Sequence, residues 1–303
     1  MNQLAIELNN LRKSYGEVIA VDQVSFSVPK GEIFGLLGPN GAGKTTTLEC
    51  LEGLRKPDSG MMRIMGEDPA RDGRRLRNLV GVQLQTSGLP ATMTVDESMR
   101  FFTAYHGVQP RYDLLERMDL LKKKGSQYQE LSTGQKRRLA LILAIAHDPL
   151  IVILDEPTAG LDVASRAELH AMMQELKNNG TTILLATHDM AEAEKMTDSV
   201  AILLKGSIIT MGTVREITAQ GSGFTKISVR TEESRLHEDE IEFPAVSQRV
   251  IKNEYVNYFT TEPGVTVSSI INYVEKQGDR LIDLRVERPS LEERFLEITS
   301  ERN

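Results

Sequence analysis

The chain has 303 residues, a length that fits one large domain or two ordinary ones. It carries 36 Lys and Arg against 43 Asp and Glu, a formal net charge of −7, and 40% of its residues are hydrophobic. This balance excludes a disordered chain, and the acidity argues against a nucleic-acid coat protein, because phosphate binding needs a basic surface. The single cysteine, Cys50, excludes an intrachain disulfide and a cysteine-based zinc site.

The apolar segments predict neither a secretory signal nor a membrane span. Glu7 interrupts the apolar N-terminal stretch, and no small-residue cleavage site follows it. The longest apolar run, 139–146, is far shorter than the roughly twenty residues that cross a bilayer. We therefore expect a soluble chain, for which any membrane-spanning segment would come from a partner.

Short apolar runs predict strands that are buried on both faces, as in a parallel α/β sheet. These runs lie at 33–37, 150–154, 183–186 and 200–204. Over 24–28, apolar and polar residues alternate instead, which is typical of a half-exposed antiparallel strand. Apolar residues at helical spacing over 169–176 predict a helix that ends before Gly180.

Gly-Ser-Gly at 221–223 predicts a linker between a main domain, 1–220, and a small α+β domain, 224–303. In the second domain we expect strands at 225–230, 249–260 and 281–286, and helices at 267–274 and 291–298. Most of the chain's net negative charge falls in this tail, since residues 215–303 hold 12 basic and 17 acidic side chains, a net of −5.

A glycine-rich segment matches the phosphate-loop pattern G-x-x-x-x-G-K-[ST]. It consists of Gly38, Pro39, Asn40, Gly41, Ala42, Gly43, Lys44 and Thr45. A predicted strand precedes it and a predicted helix follows, so backbone N–H groups and the helix N-terminus can hold phosphates. Lys44 would neutralise the β- and γ-phosphates, and the Thr45 hydroxyl would bind magnesium. The alternative is a glycine-rich turn that matches by chance.

Two acids, Asp155 and Glu156, end the predicted strand at 150–154. Ligands gather at the carboxyl ends of strands in open α/β sheets. Asp155 would hold the magnesium shell, and Glu156 would act as the general base on the water that attacks the γ-phosphate. Taken alone, the pair is more typical of a solvated strand end, but the phosphate loop beside it favours the catalytic interpretation.

The segment 131–135, Leu-Ser-Thr-Gly-Gln, precedes a predicted helix over 136–147. By itself it is typical of a capped helix start, but its position between the phosphate loop and Asp155 favours a second anion-binding surface. With these motifs in this order, residues 4 to about 220 resemble the ATP-binding subunits of ABC transporters. The resemblance implies a P-loop NTPase core with a helical subdomain at about 86–147 and an antiparallel β subdomain. It also implies that two chains pack head to tail, so that the segment 131–135 of one copy covers ATP on the other.

The resemblance assigns roles by position. The implied nucleotide-binding residues are Tyr15, Gly38, Pro39, Asn40, Gly41, Ala42, Gly43, Lys44, Thr45, Thr46, Gln85, Ser132, Gly134 and Gln135. The implied catalytic residues are Lys44, Glu156 and His188, and the implied magnesium ligands are Thr45, Gln85 and Asp155. Tyr15 would stack on adenine, although a strand-edge tyrosine is the alternative, and Gln83 competes with Gln85 as the lid glutamine. Residues 159–162 would form a loop that crosses the dimer interface.

The chain departs from the family pattern in two places. Thr133 stands where the commonest signature has glycine, and the interface loop begins Ala159-Gly160 rather than Ser-Ala. The side chain of Thr133 adds a Cβ close to where the partner's ATP would lie.

The tail segment Pro-Ser-Leu-Glu-Glu, 289–293, resembles that of the drug-exporter branch, typified by daunorubicin-efflux ATPases. We therefore expect an ATPase that energises an exporter of drugs, antibiotics or lipid-like compounds at the cytoplasmic face of the cell membrane. Its cofactors would be ATP and Mg²⁺, and its partners a separate permease and a second ATP-binding subunit, with no nucleic acid. An importer ATPase, a soluble ABC ATPase and a nucleotide-binding module without turnover are the alternatives.

Overall fold

The computed structural model describes residues 3–84, 88–219, 224–238 and 241–300. The chain divides into two compact units, Met1–Thr213 and Val214–Asn303. This boundary precedes the helix Val214–Ala219, whereas the sequence predicts that these residues belong to the first domain, 1–220. That helix contacts the last helix of the chain, Leu291–Ser300, and so belongs to the second unit. The predicted linker 221–223 lies outside the described residues.

The first unit alternates strands and helices in the order expected for an α/β fold. It begins with β1 (Leu4–Tyr15), β2 (Val18–Pro29), β3 (Ile33–Leu37), α1 (Lys44–Leu51), β4 (Ser59–Ile64), α2 (Gly73–Leu76), β5 (Val80–Gln83), α3 (Val95–His106) and α4 (Tyr112–Arg117). It continues with α5 (Thr133–Ile145), β6 (Ile151–Asp155), α6 (Val163–Asn178), β7 (Thr182–Thr187), α7 (Met190–Met196), β8 (Ser199–Leu204) and β9 (Ser207–Gly212).

The main sheet has the strand order β5-β6-β7-β3-β8-β9. Its strands are parallel except β9, which runs antiparallel to β8. Every residue of β3, β6 and β7 is buried, which confirms the strands predicted from continuous apolar runs. One face packs on α1 and the N-terminal strands, and the other packs on α5 and α6. The sheet is therefore covered on both sides, as the apolar sequence requires.

A second sheet, with the order β2-β1-β4, is antiparallel. Val24, Phe26 and Val28 of β2 are buried and the serines between them are exposed, so the predicted alternation is confirmed. The buried residues join Phe34 of β3 in one apolar cluster. This packing places the end of β1 beside the loop that follows β3.

The helices α3, α4 and α5 lie in the described residues between β5 and β6. The last of them, α5, begins at Thr133 rather than at the predicted residue 136. Ser132 is the N-cap, and its side chain and that of Gln135 form a reciprocal capping box that satisfies two backbone N–H groups. The segment 131–135 therefore opens the helix instead of preceding it.

The second unit is built from α8 (Val214–Ala219), β10 (Thr225–Thr231), α9 (Arg235–Glu238), β11 (Val246–Lys252), β12 (Tyr255–Thr260), α10 (Pro263–Lys276), β13 (Leu281–Glu287) and α11 (Leu291–Ser300). Its sheet has the order β11-β12-β10-β13, and every pairing is antiparallel. From β10 to β13 the elements follow a β-α-β-β-α-β sequence, which with this strand order is the ferredoxin-like arrangement. Ile227 and Val229 of β10 pack with Ile270 and Val274 of α10 in a separate core. None of the helices in the described ranges combines the length and apolar character of a membrane span.

Candidate functional site

The phosphate loop connects the buried strand β3 to helix α1, which begins at Lys44. Gly41 and Gly43 adopt φ angles of 80° and 105°, which side-chain-bearing residues rarely adopt. A Cβ on Gly43 would lie 2.3 Å from the carbonyl oxygen of Ala20. Backbone conformation and close packing on β2 both require glycine there, which explains the motif in physical terms.

Lys44 places its ammonium group inside this loop. The residue is 6% exposed, and its Nζ donates to the carbonyl oxygen of Gly38 at 2.7 Å and lies 3.5 Å from Glu156 Oε1. The positive charge of Lys44 therefore lies at the N-terminus of α1, where it can bind an anion. The phosphate loop contains no acidic residue, so Glu156 is the counterion of Lys44.

Asp155 and Thr45 form the second part of the site. The Thr45 hydroxyl donates to Asp155 Oδ2 at 3.0 Å. Burial raises the pKa of Asp155, the hydrogen bond from Thr45 opposes this rise, and the charge of Glu156 adds to it. The other carboxylate oxygen, Oδ1, is buried and has no hydrogen-bond partner within the described residues. Hydroxyl and carboxylate oxygens are hard donors, so this pair fits a Mg²⁺ ion.

Glu156 and His188 lie in direct contact although 32 positions separate them in the sequence. His188 Nδ1 is 2.8 Å from Glu156 Oε2, and the Glu156 side chain is buried while that of His188 is 53% exposed. Glu156 also adopts a φ of 49°, a left-handed conformation that is costly for a residue with a side chain. The contact arises because β6 and β7 are neighbouring parallel strands whose carboxyl ends meet at one edge.

A cavity of about 450 Å³ lies against the phosphate loop and Glu156, whereas Asp155 and His188 do not line it. It is lined by Tyr15, Ala20, Pro39, Asn40, Gly41, Ala42, Gly43, Lys44, Thr45, Thr46 and Glu156. Tyr15 lies at the end of β1 and is 41% exposed, so its ring is accessible to a ligand in this cavity. The volume lies in the range of small-molecule sites.

The other predicted site residues lie elsewhere or outside the described residues. Ser132, Gly134 and Gln135 lie at the start of α5 and do not line this cavity. They border the loop 159–162 instead: a Cβ on Gly134 would lie 3.9 Å from Asp162 Oδ2. Gln85 lies outside the described residues. The competing Gln83 is 1% exposed on β5, and neither of its amide atoms has a hydrogen-bond partner in the described part of the chain.

Sequence reasoning missed the buried residues that are hydrogen-bonded to the backbone next to His188. Thr187, Glu192 and His170 are buried and connected by hydrogen bonds, and none of the motifs in the sequence assigns His170 a role. A histidine among the apolar residues on the buried face of a predicted helix was the available signal. Its partner on another helix could not be found from sequence spacing.

Comparison with known proteins identifies the family. The family model for the ABC transporter domain matches residues 21–159. The Nod factor export ATP-binding protein I of Paraburkholderia xenovorans is 41% identical over 235 residues, covering 76% of this chain and 77% of that protein. The protein of the same name from Rhizobium sp. (strain N33) is 34% identical over 305 residues, 99% and 98% of the two chains.

Solved structures agree with this assignment. An ATP-binding subunit of an ABC transporter has a TM-score of 0.67 and 31% identity, covering 71% of this chain and 92% of its own. A dimeric ATP-binding cassette bound to ADP and Pi has a TM-score of 0.64 and 25% identity, covering 69% and 98%. The chain therefore belongs to the ATP-binding subunits of ABC transporters, a family of ATPases.

Proposed function

We propose that this chain energises a membrane exporter by binding ATP between two copies of itself and hydrolysing it. The observation that carries the proposal is the cavity in which the phosphate loop, Tyr15 and Glu156 meet, with His188 bonded to Glu156. Export, rather than import, is favoured by the names of relatives that match nearly the whole chain. Those names describe Nod factor export in other organisms, so the compound that this transporter moves is left open between drugs, antibiotics and lipid-like molecules.

Each side chain has a task in this reaction. Lys44 and the loop hold the β- and γ-phosphates, and Tyr15 stacks on the adenine ring. Thr45 and Asp155, with Gln85 by resemblance, hold Mg²⁺, which supplies positive charge against the phosphate oxygens. Glu156 orients the attacking water and accepts its proton, and His188 donates toward the γ-phosphate. The salt bridge from Lys44 to Glu156 would be replaced by phosphate contacts when ATP enters.

The second copy completes the site. Ser132, Gly134 and Gln135 do not line their own chain's cavity, which supports a head-to-tail pair in which they cover the partner's ATP. They lie beside the loop 159–162, so both parts of the proposed interface form one surface. The γ-phosphate then holds the pair together, and its removal releases it.

In this proposal the permease binds to the helical region. A groove of about 270 Å³ is lined by residues of α2, β5, α3 and α5, and Phe101 and Tyr105 of α3 are exposed. Exposed aromatic side chains beside a groove favour a partner protein over bare solvent. In this proposal the chain lies at the cytoplasmic face of the cell membrane and binds no nucleic acid.

Replacement of Glu156 by Gln tests the catalytic proposal. The Glu156→Gln variant keeps the shape and the hydrogen bond to His188 but removes the base, so we expect ATP binding without turnover. Steady-state hydrolysis and retention of radiolabelled ATP measure the two separately. Glu254→Gln is the matched control, because this exposed glutamate pairs with Arg230 in the other unit. Undiminished hydrolysis by Glu156→Gln would overturn the mechanism.

The same variant tests the partner. Held with Mg-ATP, it should copurify a stoichiometric multi-span membrane protein from solubilised native membranes. Recovery of ribosomes, DNA-repair factors or only a second copy of the chain would contradict the exporter proposal and favour a soluble ATPase.

A further inference from the structure

A buried chain of hydrogen bonds runs from helix α6 to the segment that carries His188. His170 Nε2 on α6 is 3.0 Å from Glu192 Oε1 on α7. The hydroxyl of Thr187, the last residue of β7, donates to Glu192 Oε2 at 2.9 Å and accepts from the backbone N–H of Asp189 at 3.0 Å. The chain therefore ends on the peptide group that directly follows His188.

The direction of these bonds is fixed by chemistry. The Thr187 oxygen already accepts from the Asp189 N–H, and a carboxylate has no proton to give, so the hydroxyl must donate to Glu192. The Glu192 side chain is fully buried, at 0% exposure. A buried carboxylate is tolerated only with good hydrogen-bond partners, and here Thr187 and His170 occupy one oxygen each.

A second contact from α6 reaches the same segment. Arg166 donates to Asp189 Oδ2 at 3.3 Å, and Asp189 Oδ1 caps α7 by accepting from the Glu192 N–H at 3.0 Å. The segment 187–189 is thus held by side chains of both flanking helices. His188 itself contacts Glu156 on the opposite side, at 2.8 Å.

We propose that His170, Glu192 and Thr187 are positioning residues that hold His188 against Glu156 and so set the rate of ATP hydrolysis. The inference rests on the catalytic roles proposed above for Glu156 and His188. None of the three touches the cavity that receives ATP, so they act through the backbone of 187–189. Their loss should lower kcat and leave the KM for ATP unchanged, because the phosphate loop is not disturbed.

Thr187 offers a matched pair of substitutions that separates positioning from packing. Thr187→Val keeps the shape of the buried side chain and removes the hydroxyl, whereas Thr187→Ser keeps the hydroxyl and removes a methyl group. If Thr187 only fills space, Thr187→Ser is the more damaging change. If it positions His188, Thr187→Val is, and we expect its kcat to fall about 10- to 100-fold, the scale of a misplaced reacting group. Thr187→Ser should stay within about threefold of the wild type, since it retains the hydrogen bonds.

Two further variants extend the test along the chain. His170→Leu removes the distant partner of Glu192 and should lower kcat, whereas Glu192→Gln keeps an acceptor for Thr187 and should lower it less than Glu192→Leu. Nucleotide binding, measured with a fluorescent ATP analogue, should be equal in all of them, which also verifies that they fold.

The outcomes distinguish this inference from the proposed function. Loss of turnover in Glu156→Gln together with wild-type kcat in Thr187→Val would overturn the positioning role alone. A Thr187→Ser variant slower than Thr187→Val would do the same. Normal turnover in Glu156→Gln would instead overturn the proposed catalytic mechanism on which the inference rests.

Discussion

Glu52 follows α1, and both oxygens of its carboxylate are buried without a hydrogen-bond partner in the described part of the structure. Burial raises the pKa of Glu52 to about 7, and the charges of Asp155 and Glu49 raise it as well. The folded state therefore binds this proton more tightly than the unfolded chain, where the pKa is near 4.5. The stability that the protonated group contributes is present below about pH 4.5 and is lost as the pH rises through 7.

Replacing Glu52 by Gln should remove this pH dependence. We expect Glu52→Gln to be more stable than the wild type by about 1–3 kcal/mol near pH 8, and by much less near pH 5. Urea unfolding at the two pH values measures the difference. The exposed Glu254→Gln substitution serves as a control that should show no such trend. An equal effect of Glu52→Gln at both pH values would contradict the assignment.

Local motifs predicted individual site residues better than their contacts. The glycines, Lys44 and Thr45 could be placed because a phosphate loop needs these residue types at fixed spacing along one stretch of backbone. The contact of Glu156 with His188 could not, because it depends on β6 lying beside β7 in the sheet. The unpaired burial of Glu52 also depends on what packs over it, and its sequence context gives no sign of this.

Among the elements, β5 and α5 pack so closely that their contact admits no side chain at Gly81. A Cβ there would lie 2.0 Å from the carbonyl oxygen of Ala144. Gly81→Ala should therefore force the strand and helix apart and destabilise the fold by about 1–3 kcal/mol. Gly73→Ala is the control: nothing lies within 4 Å of its Cβ, and alanine favours the helix α2.

Because α5 carries Ser132, Gly134 and Gln135 at its start, the same substitution has a functional consequence. Movement of α5 should weaken the proposed ATP-dependent dimer and leave nucleotide binding to the separate chain unchanged. Chemical unfolding measures the loss of stability. Sedimentation with ATP, in chains that also carry Glu156→Gln, measures the weakening of the dimer. If Gly81→Ala and Gly73→Ala unfold at the same denaturant concentration, the stability of the fold does not depend on the close packing of β5 on α5.

The apolar pattern of the sequence predicted whether an element is a strand or a helix. It did not predict where the elements begin and end, or which strands pair. Continuous apolar runs predicted β3, β6, β7 and β8 because strands covered on both faces have no polar side to alternate. The start of α5 was misplaced, since its first turn is polar and depends on the cap at Ser132. The strand order of the second unit could not be predicted from the sequence. There β10 lies between β12 and β13, and both of these strands are far from it in the sequence.

At the scale of the whole molecule, the chain divides into two units, and the cavity proposed for ATP lies in the first. Every residue that lines this cavity belongs to the unit Met1–Thr213. Each unit buries its own apolar clusters. We therefore expect two unfolding transitions in calorimetry, of which only one responds to nucleotide.

ATP with Mg²⁺, added to the Glu156→Gln variant to prevent turnover, should raise the transition temperature of the first unit alone. At a nucleotide concentration of about 100 times Kd, the stabilisation is about 2.7 kcal/mol. Ile227→Ala identifies the other transition, because this fully buried residue lies in the second unit's core and its truncation should lower that transition only. A further Lys44→Ala substitution should abolish the nucleotide shift. A single transition that shifts with ATP would show that the two units unfold as one.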